Sequence, residues 1–223
     1  MQTFATPAPV AAVFGIPAGR VQIIAAERAD TVVDVRPADA GKSRDVRAAE
    51  RIQVTFHEGV LRVAAAEPAN RFLGSSGSVE VTVQLPAGSR VEATTAAADV
   101  RGVGRLGDVT VDVAQGTVKF DETAAARLTL QAGDITVGRL GGPAEISTQK
   151  GHLRIDEAVT GAVTLSTQQG DITVGTAPET SATLDAGTAY GRVHNGLRNT
   201  VGASAALTIR ATTAHGDITA RTR

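Results

Sequence analysis

Apolar and polar residues alternate with period two along most of this chain, and glycine punctuates the alternation. Gly116 is followed by Val118 and Phe120, Gly133 by Ile135 and Val137, Gly151 by Leu153 and Ile155, and Gly170 by Ile172 and Val174. Gly191 precedes Val193, Gly216 precedes Ile218 and Ala220, and Ala98 holds the glycine's place ahead of Val100. These anchors are 18, 17, 18, 19, 21 and 25 residues apart, so seven units of about 18 residues run from about residue 89 to the end. Seven and five residues ahead of the anchor the alternation recurs, as Val109 and Val111, Ala126 and Leu128, Ala144 and Ile146, and Val163 and Leu165. Period two predicts strands with one buried face. Each unit therefore reads as strand, glycine corner, strand, with glycine at the bend because a sharp corner needs positive φ.

A unit this short cannot bury its own apolar edge and must stack on its neighbours. The expected fold is all-β: a right-handed β-solenoid of about seven 18-residue turns, preceded by irregular β coils. Two regions follow, an irregular N-terminal β region at 1–88, continuous with the stack, and the repeat solenoid at 89–223. The first region keeps the same grammar at Gly19, Gly59 and Gly77, with TVVDVR at 31–36 and IQVTF at 52–56 as strands. A small N-terminal β-sandwich packed on the solenoid is the alternative. SRDVRAAE at 43–50 predicts one helical turn, RFLGSSGS at 71–78 a loop, and NGLRNTVGASAA at 195–206 a bulge from the stack. The last strand, GDITARTR, is expected to leave an uncovered edge.

Composition narrows the function classes. A net charge of −1 argues against polyanion binding, and an aromatic share of 3 % argues against base-stacking platforms and aromatic sugar clefts. With no cysteine there is no disulfide, thiolate metal site or thiol nucleophile. The apolar start MQTFATPAPVAAVFGIPAG lacks a basic leader region and is interrupted by Pro7, Pro9 and Pro17. It predicts neither a secretory signal nor a membrane span, and a cytoplasmic location.

Candidate chemistry lies one residue after the anchor, where Asp99, Thr117, Asp134, His152, Asp171, Arg192 and Asp217 stand. In a stack, Asp134, His152, Asp171 and Arg192 would be successive neighbours. Asp–His–Asp at strand spacing could bind a metal or perform acid/base work. The structural reading prevails: such side chains cap the corner by bonding nearby backbone N–H groups. No metal and no cofactor is expected. A calcium β-roll needs G-G-x-G-x-D in every turn, which is not present, and the four histidines fall in different repeat phases. Three residues after the anchor, Arg101, Lys119, Thr136, Arg154, Thr173, His194 and Thr219 predict a weakly basic outer stripe. Gly41-Lys42-Ser43 lacks the upstream glycine of a phosphate loop, since Arg36 stands there, and GSSGS at 74–78 does not fit a nucleophile elbow.

The run PAGRVQIIA, TVVDVRPAD and SVEVTVQLPAGSRVEATTAAADV, followed by repeated GDITVG turns, resembles the bacterial putative-adhesin family, β-strand-repeat domains of unknown function abundant in actinobacteria. The resemblance spans nearly the whole chain. It implies a β-helix-like fold and, by the family's name alone, a place at the cell surface; it supplies no catalytic residues. The expected function is a non-catalytic scaffold for adhesin-like binding or self-assembly. Its partner would be a protein or a glycan, or a second copy met through the solenoid ends. A polysaccharide-active β-helix enzyme, working through Asp134, His152 and Asp171, is the alternative.

Overall fold

The computed structural model describes residues 1–66 and 77–223; most of the loop expected at 71–78 lies outside them. The fold is all-β, with one α-helix among the described residues, and its strands join into a continuous sheet. After each corner, strands lie in parallel register with Val100, Val118, Ile135, Leu153, Ile172 and Ile218 side by side. Before each corner, a second ladder aligns Val109, Ala126, Ala144, Val163 and Ile209. These residues are all buried, as are the neighbouring columns through Leu128, Ile146, Leu165, Val137, Ile155 and Val174. Burying one such aliphatic side chain contributes roughly 1.5–3 kcal/mol, so the inner columns dominate stability. The core is one contiguous seam because every coil offers the same apolar positions to its neighbours.

Two departures from chain order shape the ends. The coil built from Leu207–His215 and Ile218–Thr222 is not last in the stack. It lies between Gly161–Gln169 with Ile172–Thr176 on one side and Ala182–Tyr190 with Val193–Gly196 on the other. The chain passes over one coil position, lays down 182–196, and returns to fill the gap. The expectation that GDITARTR leaves an open edge is therefore corrected, because Val193–Gly196 covers it. Residues 197–206, which include a short 3₁₀ turn at Gly202–Ser204, form the mostly exposed return connection.

At the other end, Ala11–Ala26 is likewise an inner coil. It pairs in parallel with Arg90–Gln115 on one side and with Val60–Ala65 and Val79–Pro86 on the other. The apolar N-terminal run thus supplies core residues Val10, Ala12, Phe14, Ile16, Val21 and Ile23. Beyond it the pairing turns antiparallel, through Asp30–Pro37 on Val79–Pro86, Gln2–Ala5 on Asp30–Pro37, and Ile52–His57 on Val60–Ala65. The helix Ser43–Glu50 has eight residues, longer than the single turn expected. Buried Asp45 ties it to the sheet by accepting the Ser78 N–H at 3.0 Å, while Ala48 and Ala49 pack against the core.

Candidate binding site

The corner column is set by its glycines. Gly133 and Gly151 have φ of +134° and +148°, where a side chain is strained. Space closes the case: a Cβ on Gly133 would overlap the carbonyl oxygen of Gly116, and one on Gly151 that of Gly133. Each corner presses on the carbonyl of the corner below, so the backbones approach as closely as glycine allows.

On this ladder the polar residue one position later points along the stack. Asp134 Oδ1 accepts the His152 N–H at 2.7 Å, and His152 Nδ1 accepts the Asp171 N–H at 3.0 Å. Asp171 Oδ1 accepts the Asp217 N–H at 2.8 Å, and Asp217 Oδ1 accepts the Arg192 N–H at 2.8 Å. At the far end, Asp99 Oδ1 accepts both the Thr117 N–H at 3.0 Å and its hydroxyl at 2.7 Å. Asp99, Asp134, His152, Asp171 and Asp217 thus act as caps, each satisfying the backbone of the next coil, while Thr117 only donates back to Asp99.

The structure brings Asp134, His152 and Asp171 together, with His152 Nδ1 also 3.5 Å from Asp171 Oδ2. It does not bring Arg192 next to Asp171, because the inserted coil puts Asp217 between them. All four candidates, Asp134, His152, Asp171 and Arg192, are solvent-exposed. With Nδ1 accepting a backbone N–H, the neutral ring of His152 carries its proton on Nε2.

A second ladder escaped sequence reasoning. Three residues before the corner glycine, the hydroxyls of Thr148, Thr167, Thr213 and Thr188 donate to the carbonyls of Gly133, Gly151, Gly170 and Gly216 at 3.4, 3.2, 3.1 and 3.0 Å. Thr148, Thr167 and Thr213 are buried. Its signal is the repeated T-x-x-G in TQKG, TQQG, TAHG and TAYG. Val113 and Leu130 interrupt the column on earlier coils, and Thr95, three residues before Ala98, is buried with no hydrogen-bond partner among the described residues.

The outer faces are polar and largely self-neutralised. Arg139 pairs with Glu157 on one neighbouring coil and, at 3.8 Å, with Glu122 on the other. Arg105 reaches Glu27 at 3.5 Å, and Arg127 reaches Glu145 at 3.0 Å. Opposite charges on adjacent strands favour this register and disfavour slippage. The expected basic stripe is in register from Arg101 through Lys119, Thr136, Arg154, Thr173 and Thr219 to His194. Asp121, 3.9 Å from Arg101, and Asp156, 2.7 Å from Arg154, offset part of its charge. Among the described residues no group of three His, Cys, Asp or Glu side chains is arranged to hold a metal ion, and no helix is long and apolar enough to cross a membrane.

The profile of the family described as Toastrack DUF4097 matches residues 15–221. Among solved structures, the chain is similar to a putative adhesin from Bacteroides fragilis, with a TM-score of 0.59 at 15% identity, covering 98% of this chain and 95% of that one. It also aligns with a putative adhesin from Parabacteroides merdae, with a TM-score of 0.46 at 10% identity, covering 98% and 94%. No curated protein matches it.

Proposed function

We propose, for a chain that belongs to the Toastrack DUF4097 family, a non-catalytic scaffold that binds an unidentified protein or glycan in the manner of an adhesin. The observation that carries this reading is the use to which the polar column is put. Asp134, His152, Asp171 and Asp217 each spend an acceptor atom on the backbone of the next coil, which is structural work. General acid/base catalysis asks for side chains free to meet a substrate in a water-excluding cleft, and these residues are exposed along a corner.

As part of the same proposal the coils form one right-handed solenoid of about seven 18-residue turns. The near-universal right hand of parallel β crossovers supports the handedness. We treat 1–88 as continuous with the stack and not as a separate sandwich; the parallel register of Ala11–Ala26 with residues 90–103 supports this. The name of the Bacteroides fragilis protein of similar fold favours work at the cell surface over the cytoplasmic location expected from sequence. Protease accessibility on intact cells separates the two.

The test pairs a glycan and protein binding panel with turnover assays on polysaccharides. Saturable binding without depolymerisation, unchanged by His152→Ala, is the expected result. Depolymerisation abolished by His152→Ala would overturn the scaffold in favour of an enzyme.

A further inference from the structure

Among the described residues, the exposed large hydrophobics are Met1, Val60, Tyr190, Val193 and Val201. None lies on the coils between residues 90 and 176. Met1 and Val60 belong to the N-terminal end of the stack. Tyr190, 71% exposed, and Val193, 42% exposed, lie on the coil that closes the other end, and Val201 on the connection leaving it. Apolar exposure confined to the ends of a repeat stack marks the ends as interaction surfaces.

The two ends are guarded differently. At the N-terminal end the strand Gln2–Ala5 is short. Its companion Ile52–His57 runs from Arg51 to an exposed His57–Glu58 pair. Short strands and charges of this kind discourage edge pairing. At the C-terminal end, among the described residues, strand Ala182–Tyr190 pairs only with strand Leu207–His215, and Val193–Gly196 only with Ile218–Thr222. The Ala182 N–H donates to the Arg198 carbonyl at 3.0 Å, and beyond it no further strand among the described residues lies on their outer edges. Across both strands the only formal charge is Asp185, already held by Arg210 at 3.1 Å, and there is no proline or lysine.

We infer that this end coil is a dimer interface, pairing edge to edge with the same coil of a second copy about a two-fold axis. The occupant follows from the shape of the edge. A two-fold axis lying across the end coil runs the partner coil in the opposite direction, so both strands meet antiparallel strands at once. A single foreign strand would cover only one of them. Leu184 and Ala186, half-buried because no further coil covers them, would gain the same residues from the second copy, and Val193 would be covered. A net charge of −1 leaves little repulsion between copies. The inference is independent of the binding scaffold: a chain that dimerises yet binds no glycan or protein leaves it intact.

The test is light scattering of the full chain over a wide concentration range, with amide hydrogen exchange read at low and high concentration. The expected result is a dimer that does not grow further, with added protection at 182–196 only. Gly187→Lys places a like charge on both copies at a position where a Cβ meets nothing within 4 Å. It should weaken the dimer about tenfold or more while leaving the fold intact. Val60→Lys, at the opposite end, should leave the dimer unchanged. A monomer at every concentration would overturn the inference. So would mass growing beyond two copies, concentration-dependent protection outside 182–196, or a dimer lost in Val60→Lys and kept in Gly187→Lys.

Discussion

The coil at 161–176 and the coil at 182–196 are written in nearly the same grammar and live in different surroundings. In the first, Val163, Leu165, Ile172 and Val174 are wholly buried between two neighbours. In the second, the register equivalents Leu184 and Ala186 are only half-buried, and Val193 is exposed. The corner glycines match, with φ of +146° at Gly170 and +158° at Gly191. Alternation and a glycine corner are thus enough to shape a coil. What a coil contributes to stability depends on whether another lies on each side.

The sharpest way to break this comparison is to remove the coil that joins its two members. A chain ending at residue 206 lacks Leu207–His215 and Ile218–Thr222, through which 182–196 is attached to the stack. Amide exchange across 182–196 should lose its protection, while 108–158 keeps most of its own. Retained protection at 182–196 would mean that this coil docks directly on 161–176.

Next in size is glycine in two settings. Gly133→Ala forces a Cβ against the Gly116 carbonyl at φ +134° and should cost about 3 kcal/mol or more by denaturant unfolding. Gly187→Ala on the end coil meets open space and should stay within about 0.5 kcal/mol of the parent. Aliphatic truncation gives the same contrast. Leu153→Ala, in the closed core, should cost about 2–5 kcal/mol, and Val193→Ala, in the same column at the end of the single chain, less than about 1 kcal/mol at concentrations too low for dimer. A Val193→Ala loss that grows with protein concentration would show the second copy covering this coil.

Smaller again is the capping column. Asp171→Ala leaves the Asp217 N–H without its acceptor and should cost about 1 kcal/mol, and Asp171→Asn should recover most of that. A loss that Asn does not recover would mean the carboxylate's charge, and not its acceptor atom, matters there.

The smallest effect concerns acid at the N-terminal end. The bond from the Arg28 side chain to Asp30, at 2.8 Å, holds the Asp30 carboxyl below its ordinary value of 3.8. The Gly41 N–H first, and then Lys42, does the same for Asp39. A carboxyl lowered on folding adds stability above the unfolded value of 3.8, and this is lost as pH falls through the lower folded value. Both groups are at the surface, so the change is slight. Amide exchange below pH 4 should loosen 30–42 in the parent more than in Asp39→Asn. An identical acid response in that variant would remove Asp39 from the account.

How much was legible can be followed along single columns. Val118, Ile135, Leu153 and Ile172 could be aligned from the chain because each lies two residues beyond a glycine and burial demands an aliphatic side chain there. The partners of Asp134 and His152 followed from the same alignment, whereas the neighbour of Asp171 did not. The anchor spacings of 21 and 25 residues enclose a skipped coil position, which spacing along the chain does not reveal. The Thr ladder was written in T-x-x-G, but threonine on a strand has an ordinary reading, and only the carbonyl beneath it shows that the hydroxyl is used.

Repeat length, the corners, and the greasy face of the repeat strands are all written in the chain. These depend on φ, on side-chain period and on burial, all of which act within one coil. Tertiary structure alone decided the order in which coils stack: that 207–222 lies inside 182–196, and that Ala11–Ala26 lies inside the antiparallel strands of the first 86 residues. A parallel ladder accepts any coil with the same alternation, so the local pattern scores both orders alike. The choice falls to long-range fit, such as Asp171 reaching the Asp217 N–H across 46 positions of chain.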